Sequence, residues 1–349
     1  MSDKPAMDQA ELFGGGAMGL KDKSSFDGND TRSIPAFIFG EELADIADTD
    51  PRIVVLTADL ARSNRTNDFA ARHPKRFFNL GIAEKNMITV AAGMASSGLV
   101  PYAATFAAFA ALLGAEQIRT DCAYPSMPVR VIGTNSGMSM GFYGTSHHSL
   151  EDIGMMRSIA DLTVVCASDA NQLRAILRAS VDHPGAMYIR LGRGRDPEVY
   201  SSIPDFAFGK AITLREGTDF TLIATGTEVQ PSLRAANILD DSGISTAVID
   251  MHTLSSLDID VIVAAARRGP IMTVEEHNIT NGLGTAVAEV LLEAGMTGVR
   301  FRRHGVPNEF VPVGPPAALY AHYQLDAEGI ADVAKTFLQE RQHINGQSR

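Results

Sequence analysis

Apolar and polar residues alternate along this chain in two repeated patterns. Short runs that are apolar throughout alternate with longer stretches in which apolar residues recur at helical spacing. In the first half, this pattern predicts strands at 52–59, 100–106, 129–135, 162–168 and 186–192, and helices at 35–48, 84–97, 107–122 and 169–183. Strands that are apolar on both faces are typical of a parallel sheet buried between helices.

A polar connection rich in Pro and Gly interrupts the pattern at 193–217, and a second series follows it. That series predicts strands at 220–226, 245–253, 270–277 and 298–305, and helices at 228–242, 258–268 and 282–295, before a frayed C-terminus. We therefore predict an α/β protein with two doubly wound domains. The predicted divisions are a flexible N-terminal tail at 1–30, a first domain at 31–205 and a second domain at 206–349.

Of the 349 residues of the chain, 45% are hydrophobic and 20% are charged, which is the composition of an ordinary soluble globular protein. The net charge of −11 argues against a nucleic-acid surface. No apolar run reaches the length that spans a membrane. Cys122 and Cys166 have no metal-binding spacing, so we expect reduced thiols, a cytoplasmic location and no metal site on this chain.

One carboxylate needs an explanation. Glu84 heads an apolar helix in "FFNLGIAEKNMITVAAGM", where burying an unpaired carboxylate costs several kcal/mol, about the stability of a domain. On position alone, the helix dipole accounts for an acid in the first turn. However, the polar segments at 58–64, 133–152 and 190–195 each follow a predicted strand, where open α/β sheets bind ligands.

Four motifs give a more specific interpretation. The segments "GIAEKNMITVAAGMASSGLVPYAATFAAF", "ADLARSN", "GTSHHSLEDI" and "TVEEHNITNGLGTAVAEVL" together resemble the transketolase family. They are similar to its pyrimidine-binding domain followed by its C-terminal domain, from about Thr31 to Phe337. The resemblance implies transfer of a two-carbon ketol unit from a ketose to an aldose with thiamine diphosphate.

The resemblance also implies roles for individual residues. Glu84 matches the glutamate that hydrogen-bonds N1′ of the cofactor's aminopyrimidine, which would make it catalytic and cofactor-binding. Phe106 and Phe109 match aromatic residues around that ring, and Asp59 matches an acid of the cofactor site. His147 matches a catalytic histidine that handles protons at the reacting carbons. For its neighbour His148 we favour a structural role.

The substrate side departs from the family's pattern at two positions. Arg32, Arg190 and Ser63 match residues that hold a sugar phosphate, for which the guanidinium fork is suited. Asn135 stands where many transketolases have a phosphate-contacting histidine, and Tyr143 stands where they have an acid that reads sugar hydroxyls. We therefore expect an anionic but unusual sugar, for example a branched or sulfonated one.

A whole transketolase also has a domain that binds the diphosphate and Mg²⁺ through a GDG-type motif, and this sequence shows no such segment. We expect a partner subunit that carries that domain and an α2β2 heterotetramer. The alternatives are a β-type E1 subunit of a 2-oxoacid dehydrogenase, an enzyme like deoxyxylulose-phosphate synthase, or a non-catalytic assembly partner.

Overall fold

A computed structural model describes residues 35–193 and 197–346. The predicted tail at 1–30 and Arg32 lie outside the described residues. Within the described ranges the chain forms two sheets, one in each half, and helices pack on both faces of the first sheet. The prediction of two α/β domains is confirmed.

The first domain is built on a six-stranded sheet that is parallel throughout, in the order β2-β1-β3-β4-β6-β5. Its strands are β1 (Ile53–Thr57), β2 (Phe77–Asn79), β3 (Val100–Phe106), β4 (Arg130–Thr134), β5 (Thr163–Cys166) and β6 (Met187–Arg190). Its helices are α1 (Pro35–Thr49), α2 (Asn67–Arg72), α3 (Glu84–Ser96), α4 (Ala107–Gln117), α5 (Asp152–Arg157) and α6 (Ala170–Ser180).

Local chemistry explains two features of these helices. Asp169 caps α6, because its Oδ1 accepts a hydrogen bond from the backbone N of Gln172 at 2.8 Å. Helices α3 and α4 approach closely at Gly114, where an added Cβ would lie 2.4 Å from Ile88 Cδ1. The contact places α3, and with it Glu84, firmly in the layer that covers the sheet.

The second domain has a five-stranded sheet in the order β11-β10-β8-β9-β7, in which only β7 is antiparallel. Its strands are β7 (Ile212–Arg215), β8 (Phe220–Ala224), β9 (Thr246–Asp250), β10 (Ile271–Asn278) and β11 (Phe301–Val306). Its helices are α7 (Val229–Asp240), α8 (Ile259–Arg268), α9 (Leu283–Glu293), α10 (Pro316–His322) and α11 (Ala327–Gly346).

The structure corrects three details of the predicted elements. The α-helix predicted at 107–122 ends at Gln117, and residues Ile118–Ala123 form a π-helical turn directly after it. The predicted fraying is wrong for residues 339–346, because helix α11, which was not predicted, continues to Gly346. The edge strands β2 and β7 and the short helices α2, α5 and α10 were missed, since each is too short to show a clear period.

Backbone pairing joins the two domains directly. The segment that follows β9 runs antiparallel to β5, which is an edge strand of the first sheet. The backbone N of Cys166 donates to the carbonyl of His252, and the backbone N of Leu254 donates to the carbonyl of Val164, both at 2.8 Å. The second domain therefore covers this edge of the first sheet.

Candidate active site

Glu84 begins helix α3 with its side chain turned inward, and it is 6% exposed. Its carboxylate has one hydrogen bond within the described part of the chain, which Thr105 Oγ1 donates to Oε1 over 3.4 Å. The helix N-terminus favours the negative charge. A buried carboxylate with a single long hydrogen bond nevertheless retains most of its acceptor capacity, and this capacity suits a donor from a ligand.

A cluster of aromatic rings lies at the carboxyl end of β3, the strand whose Thr105 contacts this carboxylate. Phe106 ends β3 directly after Thr105, and its ring centroid is 5.5 Å from that of Phe109 in α4. The His147 ring lies 5.9 Å from Phe106 and 5.3 Å from Phe109, and Tyr143 lies 4.9 Å from His147. The structure therefore brings four of the residues predicted for the site into one cluster.

His147 is half-buried at the end of the loop that follows β4. Burial lowers its pKa, so the imidazole is neutral at pH 7. Its Nδ1 is 2.9 Å from Ser146 Oγ. A neutral imidazole can take a proton near neutral pH, and the imidazolium that it becomes can give that proton back. The adjacent His148 is buried more deeply, and desolvation likewise lowers its pKa.

Two predicted site residues adopt left-handed backbone conformations directly after strands. Asp59 follows β1 with φ of 61° and Asn135 follows β4 with φ of 56°, a conformation that Asp and Asn tolerate better than most residues. The Asn135 side chain is buried, and its Nδ2 is 3.0 Å from Met140 Sδ. Ser63 is exposed in the segment that follows Asp59.

Asn79 is a residue that the sequence analysis missed. Its Oδ1 accepts from the backbone N of Asp59 at 3.0 Å and from that of Gly81 at 3.1 Å, and its Nδ2 donates to Asp59 Oδ1 at 3.2 Å. It therefore joins the end of β1 to the turn that leads into Glu84. An Asn at a strand end, two residues before a Gly with φ of 74°, is the signal that could have revealed it.

The prediction that Arg190 clamps a substrate phosphate is wrong. Its side chain is 2% exposed, and its Nε donates to Asp152 Oδ2 at 2.8 Å. Its Nη2 donates to the carbonyls of Ser149 and Glu276 at 3.2 and 2.9 Å. Burial alone would lower its pKa, but the attraction of the Asp152 carboxylate outweighs that effect and raises it. Arg190 is therefore a structural cation at the domain junction.

Arg193, three residues further on, is exposed at the carboxyl edge of the sheet. Its Nη1 donates to the Ser139 carbonyl at 3.1 Å, and the adjoining Gly192 carbonyl accepts from the backbone N of Asn135 at 3.3 Å. It thus lies beside the loop that carries Asn135. The sequence run "RLGRGR" contained this residue, but the pattern did not show which arginine faces outward.

Residues 35–193 and 197–346 hold neither a metal-binding cluster nor a membrane-spanning helix. In these ranges, no group of three or more His, Cys, Asp or Glu side chains is arranged to hold a metal ion. Over the same part of the chain, no helix combines the length and the apolar character that crossing a bilayer requires.

Family models match both halves of the chain. The model of the transketolase pyrimidine binding domain matches residues 36–197, and that of the transketolase C-terminal domain matches residues 209–330. Among curated proteins, the chain is 37% identical to one of the subunits of apulose-4-phosphate transketolase from Phocaeicola vulgatus. That match covers 86% of this chain and 96% of the relative.

A second curated relative is longer than this chain. It is 1-deoxy-D-xylulose-5-phosphate synthase 1 of Geobacter sulfurreducens, at 36% identity over 86% of this chain and 47% of that protein. Among solved structures, one described as a split gene transketolase in an inactive β4 tetramer superposes with a TM-score of 0.79 at 39% identity. That match covers 87% of this chain and 97% of the other.

Proposed function

The chain belongs to the transketolase family, and from that premise we propose that it is the pyrimidine-binding subunit of a split transketolase dependent on thiamine diphosphate. The observation that carries this proposal is that the buried Glu84 bonds to Thr105 of β3, and that the rings of Phe106, Phe109 and His147 cluster at the end of the same strand. The enzyme would be active only with its partner subunit.

The residues present fit the pyrimidine half of the cofactor. Glu84 offers a buried carboxylate whose acceptor capacity is mostly unused, as a donor at N1′ of an aminopyrimidine requires. Phe106 and Phe109 offer ring faces at the end of β3, the strand that contacts Glu84 through Thr105. Asn79 would steady this arrangement by fixing Asp59 and the turn before Glu84. When bound, thiamine diphosphate supplies a carbon nucleophile that can break and form bonds next to a carbonyl.

The chain's own residues would then do three things. Glu84 holds a proton at the pyrimidine N1′ and keeps the ring in its reactive orientation. Phe106 and Phe109 exclude water, which strengthens that interaction. His147, neutral and held beside these rings, takes or gives a proton at a hydroxyl of the substrate.

We assign the diphosphate and Mg²⁺ ligands to the partner subunit, in an α2β2 heterotetramer. The match to a relative named as a subunit supports this assignment, because the chain covers 96% of that relative. The partner would carry the diphosphate-binding domain of the family. A cytoplasmic location remains a prediction from the composition.

For the substrate we propose an anionic sugar whose charged end lies near Arg193 and Ser63, with Arg32 as a further contact predicted from the sequence. Arg193 and Ser63 are both exposed in segments that follow strands of the first sheet, β6 and β1. Asn135 is neutral, so it would hold the anionic end of the sugar less strongly than a histidine would. Tyr143 cannot accept hydrogen bonds from sugar hydroxyls as a carboxylate does. Both features favour a sugar other than the ordinary pentose phosphates.

Deoxyxylulose-phosphate synthesis is the second candidate, and the 36% identity to a synthase from Geobacter sulfurreducens favours it. The two activities use different donors: a synthase consumes pyruvate and releases CO₂, whereas a transketolase consumes a ketose. Offering pyruvate or a ketose with the same aldose acceptor therefore separates them.

The proposal is tested with the reconstituted pair of subunits, in wild type and Glu84→Gln. We expect ketol transfer in the wild type and a loss of about 10²-fold or more in kcat for the variant, the scale of general acid–base assistance. Glu41→Gln, at an exposed carboxylate on α1, is the matched control and should keep full activity. A near-normal kcat in Glu84→Gln would contradict the proposal and would leave Glu84 only a structural role, its interaction with the dipole of helix α3.

A further inference from the structure

The two ends of the loop that follows β4 lie next to each other. We call residues 137–149 the site loop, because they carry Tyr143 and His147. Its two ends pair with each other: the backbone N of Gly137 donates to the Ser149 carbonyl at 3.0 Å, and the backbone N of Ser149 donates to the Gly137 carbonyl at 2.9 Å. The position of His147 therefore depends on what holds these two ends.

The second domain holds the first end of the site loop. Glu276, near the end of β10, is 1% exposed, and its Oε1 accepts from the backbone N of Met138 at 2.7 Å. The carboxyl group packs against Gly137, where an added Cβ would lie 1.9 Å from Glu276 Cδ. Gly137 has φ of 61°, so both its conformation and its contact require glycine.

The other end of the site loop is tied to the same residue. Arg190 Nη2 donates both to the Ser149 carbonyl and to the Glu276 carbonyl, at 3.2 and 2.9 Å. Both ends of the site loop are therefore held at Glu276, Met138 directly and Ser149 through Arg190. Within the loop, the Gly141 carbonyl also accepts from the backbone N of Gly314 at 3.2 Å.

Glu276 is itself fixed by its own domain. Its Oε2 accepts from Thr227 Oγ1 at 2.9 Å, and its Oε1 accepts from the hydroxyl of Tyr320 in α10. Burial raises the pKa of its carboxyl, although Arg190 opposes the shift. In an open α/β sheet the carboxyl ends of the strands are where ligands bind. Here the site loop of the other domain occupies the end of β10.

We propose that Glu276 is a positioning residue, through which the C-terminal domain sets the place of His147 and Tyr143 in the active site. This inference rests on the proposed function for its catalytic part and on the contacts above for its structural part. Glu276 does not touch the reacting groups. It would act through Met138 and Gly137 by fixing the base of the site loop.

The test compares Glu276→Ala with Glu275→Ala in the full chain. Glu275 is a matched control, because it is buried on the same strand and accepts from the backbone N of Leu283 and of Gly284, at 2.6 and 2.8 Å, at the start of α9. Both variants lose a buried carboxylate, but only Glu276→Ala releases the Met138 end of the site loop. The bonds from Arg190 to the carbonyls of Ser149 and Glu276 remain in both variants.

We expect faster hydrogen–deuterium exchange at 137–149 in Glu276→Ala and unchanged exchange there in Glu275→Ala. With the partner subunit, kcat should fall by about tenfold to a hundredfold in Glu276→Ala alone, the range for a reacting group displaced by about 1 Å. Glu276→Gln should restore both, since its amide oxygen can accept from Met138 and its amide nitrogen can donate to Thr227.

Equal loop exchange in the two alanine variants, or equal kcat, would overturn the proposal. If Glu276→Ala does not fold, Tyr320→Phe removes one of the bonds that hold Glu276 and should raise exchange at 137–149 to a smaller extent. Unchanged exchange there would then count against the proposal. The exchange measurement needs no substrate, so it decides the positioning claim even if the wild-type pair shows no ketol transfer.

Discussion

Removing the charge of Arg190 separates a structural role from a substrate-binding role. Arg190 and Asp152 form an ion pair of 2.8 Å in which the two side chains are 2% and 0% exposed. Replacing Arg190 with Met leaves the Asp152 carboxylate buried, and among the residues that the structure describes only the Tyr188 hydroxyl still donates to Oδ2, at 2.8 Å. Two further hydrogen bonds to backbone carbonyls are also lost.

The expected cost follows from that geometry. Breaking a buried pair by removing one partner costs about 3–5 kcal/mol, because the remaining charge is uncompensated. Arg193→Met is the matched control: its side chain is exposed and donates to the Ser139 carbonyl, so it should cost no more than about 1.5 kcal/mol, the scale of a hydrogen bond. The double variant Asp152→Asn with Arg190→Met removes both charges and should recover most of the loss.

Urea unfolding of the full chain, followed by far-UV circular dichroism at one protein concentration, measures these differences. With a slope of about 3 kcal/mol/M, the midpoint of Arg190→Met should fall by about 1–2 M. The reasoning is refuted if Arg190→Met unfolds at the same midpoint as Arg193→Met while losing only its preference for phosphorylated sugars.

Three further predictions concern other residues. Arg193→Ala should raise KM by about tenfold or more for anionic sugars, the scale of a charged hydrogen bond, and leave KM for uncharged analogues unchanged in steady-state assays with the partner. Burial raises the pKa of Asp250 to about 7, so its contribution to stability is lost as pH rises from about 4 through 7. We expect the melting temperature of Asp250→Asn, relative to the wild type, to be higher at pH 8 than at pH 5. An equal difference at the two pH values would contradict this. Gly114→Ala should cost about 1–3 kcal/mol in urea unfolding because Ile88 must move, whereas Gly93→Ala, with open space around it, should cost nothing.

The elements most accurately predicted from the sequence are those with a strong local signal. Strand β3 has the predicted bounds, Val100–Phe106, because all seven residues are buried and suit a strand that is covered on both faces. The start of α6 was predicted to within one residue, because the Asp169 cap before it is a local interaction between neighbouring residues. Strand β7 was missed, since its residues are half-exposed at an edge and show no apolar run.

The site was predicted less completely, because the sequence shows which residues are present but not where their side chains point. Phe106, Phe109, His147 and Tyr143 were predicted as one group, and their rings lie together because a family's motifs combine residues that meet in space. No motif shows where a side chain points once it reaches the end of a strand. Arg190 shares a face of β6 with Tyr188, two residues away, and both donate to Asp152.

Contacts between the domains were beyond sequence reasoning altogether. Glu276 meets Met138 across 138 residues of chain, and neither residue carries a pattern that names the other. Within the first domain the same holds for the contacts between Asn79, at the end of β2, and Asp59, two residues after β1. Such pairs depend on how strands are ordered in the sheet, and a single sequence does not encode that order in any short segment.

The segment of the second domain that pairs with β5 limits how far this protein can be trimmed. A fragment ending near residue 197 would retain Glu84 and His147, but it would leave the Cys166 amide and the Val164 carbonyl without the partners that they have in the whole chain. An uncovered strand edge is a template for pairing with other chains. Such a fragment should therefore aggregate, and a minimal soluble version of this half of the active site has to keep the segment through Leu254.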